Sequence, residues 1–168
     1  MRSYSWENSR IPQIFEELNG VILARPREPP RMIPKEVFLS HASADGEFAS
    51  RLAELLRRHG VPVWFSATNL VGGQQWHDEI GAALRRCDWF LIVLSQNAIQ
   101  SFWVKRELCY VLRQPRFVNC ITPVLIQSCD HELFSWTLSA IQVVNFLEAF
   151  DGGCRDLLRV WGLGYQPL

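Results

Sequence analysis

The sequence predicts an open α/β fold built on one parallel sheet, and three observations carry that prediction. From Lys35 onward, short apolar runs of strand type alternate with amphipathic helical stretches. The third run, "WFLIVLS" (89–95), is apolar on both faces, as a central parallel strand covered by helices must be. The segment after the second run, "SATNLVGGQQW" (66–76), is longer than a strand-to-helix connection requires. At 168 residues the chain is most simply one domain, large enough to bury roughly 70% of its unfolded surface.

Residues 1–34 stand apart from this pattern. "IPQIFEELNG" sets Ile11, Ile14, Phe15 and Leu18 at i, i+3, i+4 and i+7, with Gly20 as a stop. So short a helix does not persist alone, and its apolar stripe needs something to dock on, either the domain itself or a partner. "ARPREPPRMIPKE" follows with four prolines and reads as an extended linker. The division is therefore 1–34, a helix and a proline-rich linker, and 35–168, the regular domain.

"EVFLS" (36–40) is the first strand. The helix after it carries Phe48, Leu52, Leu55, Leu56 and His59 on one side, with Ser43 or Asp45 as a cap and Gly60 as its end. "VPVWF" (61–65) is the second strand, "FVNCITPVLI" (117–126) contains the fourth, and "IQVVNF" (141–146) the fifth. Helices are expected over roughly 77–86, 99–114, 132–139 and 152–160. No internal repeat or low-complexity tract interrupts the series.

Composition narrows the function. Lys+Arg and Asp+Glu balance at 17 each, so no overall field recruits nucleic acid or an anionic membrane, and neither is expected as a partner. Five cysteines (87, 109, 120, 129 and 154) lack zinc-ligand spacing and read as reduced thiols. The four histidines (41, 59, 77 and 131) are equally scattered, so no metal is expected. The first residues lack a signal-peptide core, and no apolar run is long enough to span a bilayer; a soluble, cytoplasmic chain is expected. There is no Walker A loop, no GxGxxG after a strand and no GxSxG elbow. The first strand does not end in an acidic pair of the kind a phospho-acceptor domain needs.

In open parallel sheets the ligand crevice lies beyond the carboxyl ends of the strands. Three loops lie there: "SHASAD" (40–45), "SATNLVGGQQW" (66–76) and "SQNAIQSFW" (95–103). In the helix after the last of them, Val104, Leu108, Val111 and Leu112 form an apolar stripe, and Arg106, Tyr110 and Arg113 point away. Glu107 falls about a quarter-turn from the stripe's centre, with Trp103 one turn earlier. Pattern alone leaves two readings for Glu107. One is a solvated glutamate paired with Arg or Lys, the commoner arrangement; the other is a partly desolvated carboxylate working beside an aromatic wall.

The segments "EVFLSHASAD", "VPVWFSATNLVGGQQW" and "RRCDWFLIVLSQNAIQSFWVKREL", in this order and spacing, resemble the TIR (Toll/interleukin-1 receptor) domain family, bacterial NAD-cleaving type. The resemblance covers about residues 35–160. It implies a flavodoxin-like, five-stranded parallel sheet in the order 2-1-3-4-5 with helices on both faces. It also implies one of two functions. Some members are scaffolds that assemble with other TIR domains. Others hydrolyse or cyclise NAD+ at the nicotinamide–ribose bond, giving ADP-ribose or a cyclic ADP-ribose-type signal, in bacterial anti-phage defence or immune signalling.

In the enzymes the catalytic residue is a glutamate four positions after a tryptophan, which here is Glu107 after Trp103. The resemblance places Ser40, His41, Ala42, Ser43, Trp76, Ser95 and Trp103 around the substrate. It makes Ser66, Ala67, Thr68, Asn69, Leu70, Val71, Gly72 and Gly73 the BB loop, through which neighbouring domains assemble and complete one another's sites. NAD+ is then the substrate, with no cofactor and no metal, and other TIR domains are the partners. The sequence departs from many relatives in having "FSAT" rather than an acidic residue after the second strand, and Gly72 before the loop glycine. Retention of both Trp103 and Glu107 favours the enzyme over the adaptor, which has no need of that carboxylate. A flavodoxin-like domain binding another nucleotide is the third reading.

Overall fold

The computed structural model describes residues 33–65, 73–130 and 135–167, with backbone alone at 73–76 and 136. The stretch 11–18, most of the proline-rich linker, loop residues 66–72 and the start of the expected helix 132–139 lie outside the described residues. The order of elements is β1 (Val37–Ser40), α1 (Gly46–Arg58), β2 (Val63–Trp64), α2 (Gly73–Arg86), β3 (Trp89–Leu94), α3 (Gln96–Gln100), α4 (Phe102–Leu112), β4 (Ile121–Leu125), β5 (Val144–Asn145) and α5 (Phe150–Val160). The five strands form one sheet in the order β2-β1-β3-β4-β5, with every pair parallel.

Side-chain alternation along the central strands builds two cores. Val37 and Leu39 of β1, with Trp89, Leu91 and Val93 of β3, pack against Leu52, Leu55 and Leu56 of α1 and Leu157 and Leu158 of α5. Phe38, Phe90, Ile92 and Leu94 face the other way, onto Ile80, Ala83 and Leu84 of α2, Ala98 of α3, and Val104, Leu108 and Val111 of α4. Ser40 follows Phe38 by two residues and so points to the α4 side. That parity puts a hydroxyl under the helix that carries Glu107.

Turn chemistry sets several boundaries. Gly60, at φ +77°, closes α1: its N–H bonds the Arg57 carbonyl at 3.0 Å, and the Val61 N–H bonds that of Leu56 at 3.0 Å. β5 pairs only with Val124 and Leu125, one step past Pro123, which has no amide proton for a ladder. The expected helix 99–114 is two helices. Ser95 caps α3 by accepting from the Ala98 N–H at 2.9 Å, and Ser101 caps α4 by accepting from the Val104 N–H at 3.4 Å. The described part of 132–139 is a 3₁₀ turn, Trp136–Ala140, rather than an α-helix. Asp45 stands at the N-terminus of α1 but makes no capping bond there.

Gly153 in α5 lies so close to Phe146 that a Cβ would come 2.5 Å from its ring carbons. The ring is itself held edge-on against Phe48, with centroids 5.2 Å apart, and cannot simply retreat. Gly153→Ala is therefore expected to destabilise the fold by about 1–3 kcal/mol, although alanine is the better helix former. A thermal melt checks this, and an unchanged or raised midpoint would count against the packing described.

Candidate active site

α4 owes its placement to the spacing 104, 107, 108, 111, which is i, i+3, i+4, i+7. Val104, Leu108 and Val111 are buried, while Leu112, expected in the stripe, is 38% exposed. Glu107 therefore occupies a core-facing position, not the stripe's flank, and is 8% exposed. Reading the stripe from Val104 in strict i, i+3, i+4, i+7 steps would have found it.

The carboxylate meets one polar group that justifies its burial. Ser40 Oγ, at the carboxyl end of β1 and 1% exposed, donates to Glu107 Oε2 at 2.5 Å. Among the described residues no ion pair is formed by Glu107. Burial pushes its pKa up from 4.5 to about 7, and the Ser40 hydrogen bond restrains that rise. A carboxylate poised near neutrality can exist in either form under ordinary conditions.

This has a consequence for stability. Because the folded pKa lies above the unfolded one, the group's contribution is fully present below about 4.5 and is lost as pH rises through about 7. Glu107→Gln keeps the shape and an acceptor for Ser40 but never ionises. The variant is expected to be more stable than the parent at pH 8, by up to ~3 kcal/mol, and nearly equal at pH 4. Denaturant unfolding at the two pH values reads this difference.

Around the carboxylate, Trp103 packs against His77 of α2, with ring centroids 4.7 Å apart and planes at 56°. Phe102 meets Trp103 edge-on at 5.7 Å, and the Arg106 guanidinium lies 5.7 Å from the Trp103 ring. The His77–Trp103 contact brings the first turns of α2 and α4 together. The residues just before His77, including Trp76, are thereby tied by chain continuity to this edge of the sheet. Gly73, expected in the loop, is the first residue of α2.

His41 Nδ1 is 3.5 Å from the Leu39 carbonyl, and its ring lies 5.8 Å from that of Phe65. Its Nε2 is buried and has no hydrogen-bond partner among the described residues. Burial lowers the imidazole's pKa, against the opposing pull of the Leu39 carbonyl and the Asp45 charge. Ala42 is buried and Ser43 exposed beside it. Ser95 is fully buried; it caps α3 and donates to Asp45 Oδ2 at 2.6 Å. Asp45 itself was legible only as a helix cap. Nothing local marks it as a buried acceptor, because its partners, Ser95 and Asn97, lie some fifty positions away.

Among the described residues no group of three or more His, Cys, Asp or Glu is disposed to hold a metal ion. No described helix is long and apolar enough to cross a membrane. The described cysteines are free, and burial pushes Cys87 and Cys154 up to about 12, well away from thiolate chemistry.

A parallel sheet ordered 2-1-3-4-5 defines a flavodoxin-like domain, and the buried Glu107 and its aromatic neighbours lie at the switch between β1 and β3, where ligands of such sheets bind. The TIR-domain family model matches residues 37–158, and the chain belongs to that family.

The chain is 38% identical over 74 residues to the 2' cyclic ADP-D-ribose synthase AbTIR of Acinetobacter baumannii, covering 44% of this chain and 28% of the relative. It is 34% identical over 129 residues to the NAD(+) hydrolase TcpA of a Theionarchaea archaeon, covering 74% of this chain and 39% of that one. The matched part is thus well under half the length of either relative. Among solved structures, a metazoan TIR-STING receptor from C. gigas superposes with a TM-score of 0.63 at 18% identity, over 82% of this chain and 42% of that one. The TIR domain of a Toll-related receptor from Hydra magnipapillata gives 0.55 at 18% identity, over 73% and 87%. Both show the same fold.

Proposed function

We propose that this TIR domain cleaves NAD+ at the nicotinamide–ribose bond, with Glu107 as the catalytic carboxylate. The observation that carries the reading is the burial of Glu107 against the Ser40 hydroxyl, without a cation, at the ligand end of the sheet. The names of the two relatives support the same chemistry.

The C1'–N bond of NAD+ breaks with its electron pair going to the nicotinamide nitrogen, so the base leaves neutral and needs no general acid. The ribose left behind is oxocarbenium-like. Ionised Glu107 stabilises that charge more in the transition state than in the ground state, and Ser40 fixes its orientation. Water, or a hydroxyl of the same nucleotide, then adds to C1' and gives up a proton; the products are ADP-ribose or a cyclic form. Trp103 supplies an apolar wall for a planar group. His41 Nε2, an acceptor or donor without a protein partner, awaits one from the substrate. The family resemblance assigns Ala42, Ser43 and Trp76 to the substrate and gives the loop 66–73 of a neighbouring copy the task of completing the site. Self-assembly, a cytoplasmic location and a role in defence or immune signalling belong to this same reading.

A scaffold function is the second reading. It is favoured by the exposed face of α4, where Phe102 is 63% exposed beside Lys105 and Arg106. Incubating the protein with NAD+ over a range of protein concentrations, followed by product chromatography, separates the two. Nicotinamide release that rises faster than protein concentration supports an assembling enzyme; none at any concentration supports the scaffold.

A further inference from the structure

Two buried carboxylates face this end of the sheet, and the chemistry above uses one. The other is Asp45, 7% exposed, on the 3₁₀ turn Ser43–Asp45 after β1. Its Oδ2 accepts from Ser95 Oγ at 2.6 Å and its Oδ1 from Asn97 Nδ2 at 2.9 Å. Ser95 Oγ in turn accepts from the Ala98 N–H that opens α3. One side chain thus ties the loop after β1 to the segment that follows β3 and leads into α4.

The arrangement is crossed. Ser40, ending β1, reaches Glu107 beyond β3; Asp45, beyond β1, reaches Ser95, at the end of β3. β1 and β3 are neighbours, with Ser40 level with Ile92, so the two bonds brace adjacent strand ends from opposite sides. Between Ser40 and Asp45 in the chain lies His41, whose Nε2 has no hydrogen-bond partner among the described residues.

A carboxylate is a costly side chain with which to join two loops. An asparagine could donate to Ser95 Oγ and accept from Asn97 without desolvating a charge. Among the described residues no ion pair offsets that cost at Asp45.

We propose that Asp45 is a positioning residue that clamps the 41–45 loop to the 95–101 segment, holding His41 at a fixed distance from Trp103 and Glu107. The positioning role rests on the NAD-cleaving reading; the clamp itself does not. The Asp45 charge also acts on His41, where it opposes the effect of burial.

The test compares Asp45→Ala, Asp45→Asn and the parent, all as the full chain. Hydrogen exchange reads the clamp without reference to activity. In Asp45→Ala, amides of both 41–45 and 95–101 are expected to exchange about tenfold faster while those of β4 hold, and Asp45→Asn is expected to restore most of the protection. Steady-state kinetics read the positioning: Asp45→Ala is expected to raise KM for NAD+ about tenfold with kcat within about threefold, and Asn to recover KM.

Uniform loosening of the whole domain, or protection unchanged in Asp45→Ala, overturns the clamp whether or not NAD+ is cleaved. Faster exchange with an unchanged KM overturns the positioning role. A parent chain that releases no nicotinamide overturns the NAD reading, and the positioning role with it, while the exchange result still decides the clamp.

Discussion

Replacing Glu107 by either alanine or glutamine is expected to lower nicotinamide release from NAD+ by about 100-fold or more, the effect typical of losing one preorganised electrostatic group at a reacting centre. The two variants separate charge from shape. Alanine removes the carboxylate and leaves a void under α4, with the Ser40 hydroxyl buried and unpaired. Glutamine fills the same space and accepts from Ser40, so the domain is expected to keep its fold and, on the proposed reading, a group that can hold ribose hydroxyls. What it lacks is negative charge beside the developing oxocarbenium. If the carboxylate acts by charge, glutamine is as inactive as alanine although the better folded of the two. If it acts only by holding hydroxyls, glutamine retains much of the rate. Glutamine activity near that of the parent removes Glu107 from its role.

The second large effect is on pH. On the proposed mechanism only ionised Glu107 stabilises positive charge, and burial raises its pKa to about 7. The rate is therefore expected to fall about tenfold for each pH unit below that value and to level off above it. Sign matters here, because the stability of the fold runs the other way: the protonated carboxyl is the form its buried site prefers. Activity and stability thus trade against each other across neutrality. Removing the Ser40 hydroxyl takes away the one contact that restrains the shift, and Ser40→Ala is expected to move the kinetic midpoint upward. A pH-rate profile of kcat/KM from pH 5 to 9, for parent and variant, tests both statements.

Much of the fold could be read from the sequence because its signals are local and periodic. The apolar run 89–94 is the central strand, Gly60 stops α1, and strand–helix alternation gives a parallel sheet. Where the reading slipped, a short-range competitor had won. Ser101 breaks one expected helix into two because its side chain caps the second, and Pro123 limits β5 to two residues. At the candidate site, the Trp103–Glu107 spacing predicts two side chains one turn apart on one helix, and both lie on α4. Counting Leu112 as core sets Glu107 on the flank of the stripe; the exposure of Leu112 moves the stripe so that Glu107 falls inside it. The Ser40–Glu107 and Asp45–Ser95 pairs span 67 and 50 positions. No local pattern encodes contacts of that kind; they follow from strand parity and from which strands are neighbours.

On the proposed mechanism a single buried carboxylate, its pKa raised to about 7, performs the chemistry. The most direct test sets the titration of the Glu107 side-chain carboxyl, followed by 13C NMR in the free protein, against the pH dependence of kcat/KM for nicotinamide release. The two midpoints are expected to coincide near 7, and the Glu107→Gln protein is expected to show neither the titration nor the release. A Glu107 carboxyl that titrates in the ordinary acidic range, or release whose pH dependence ignores it, would remove Glu107 from the catalytic role.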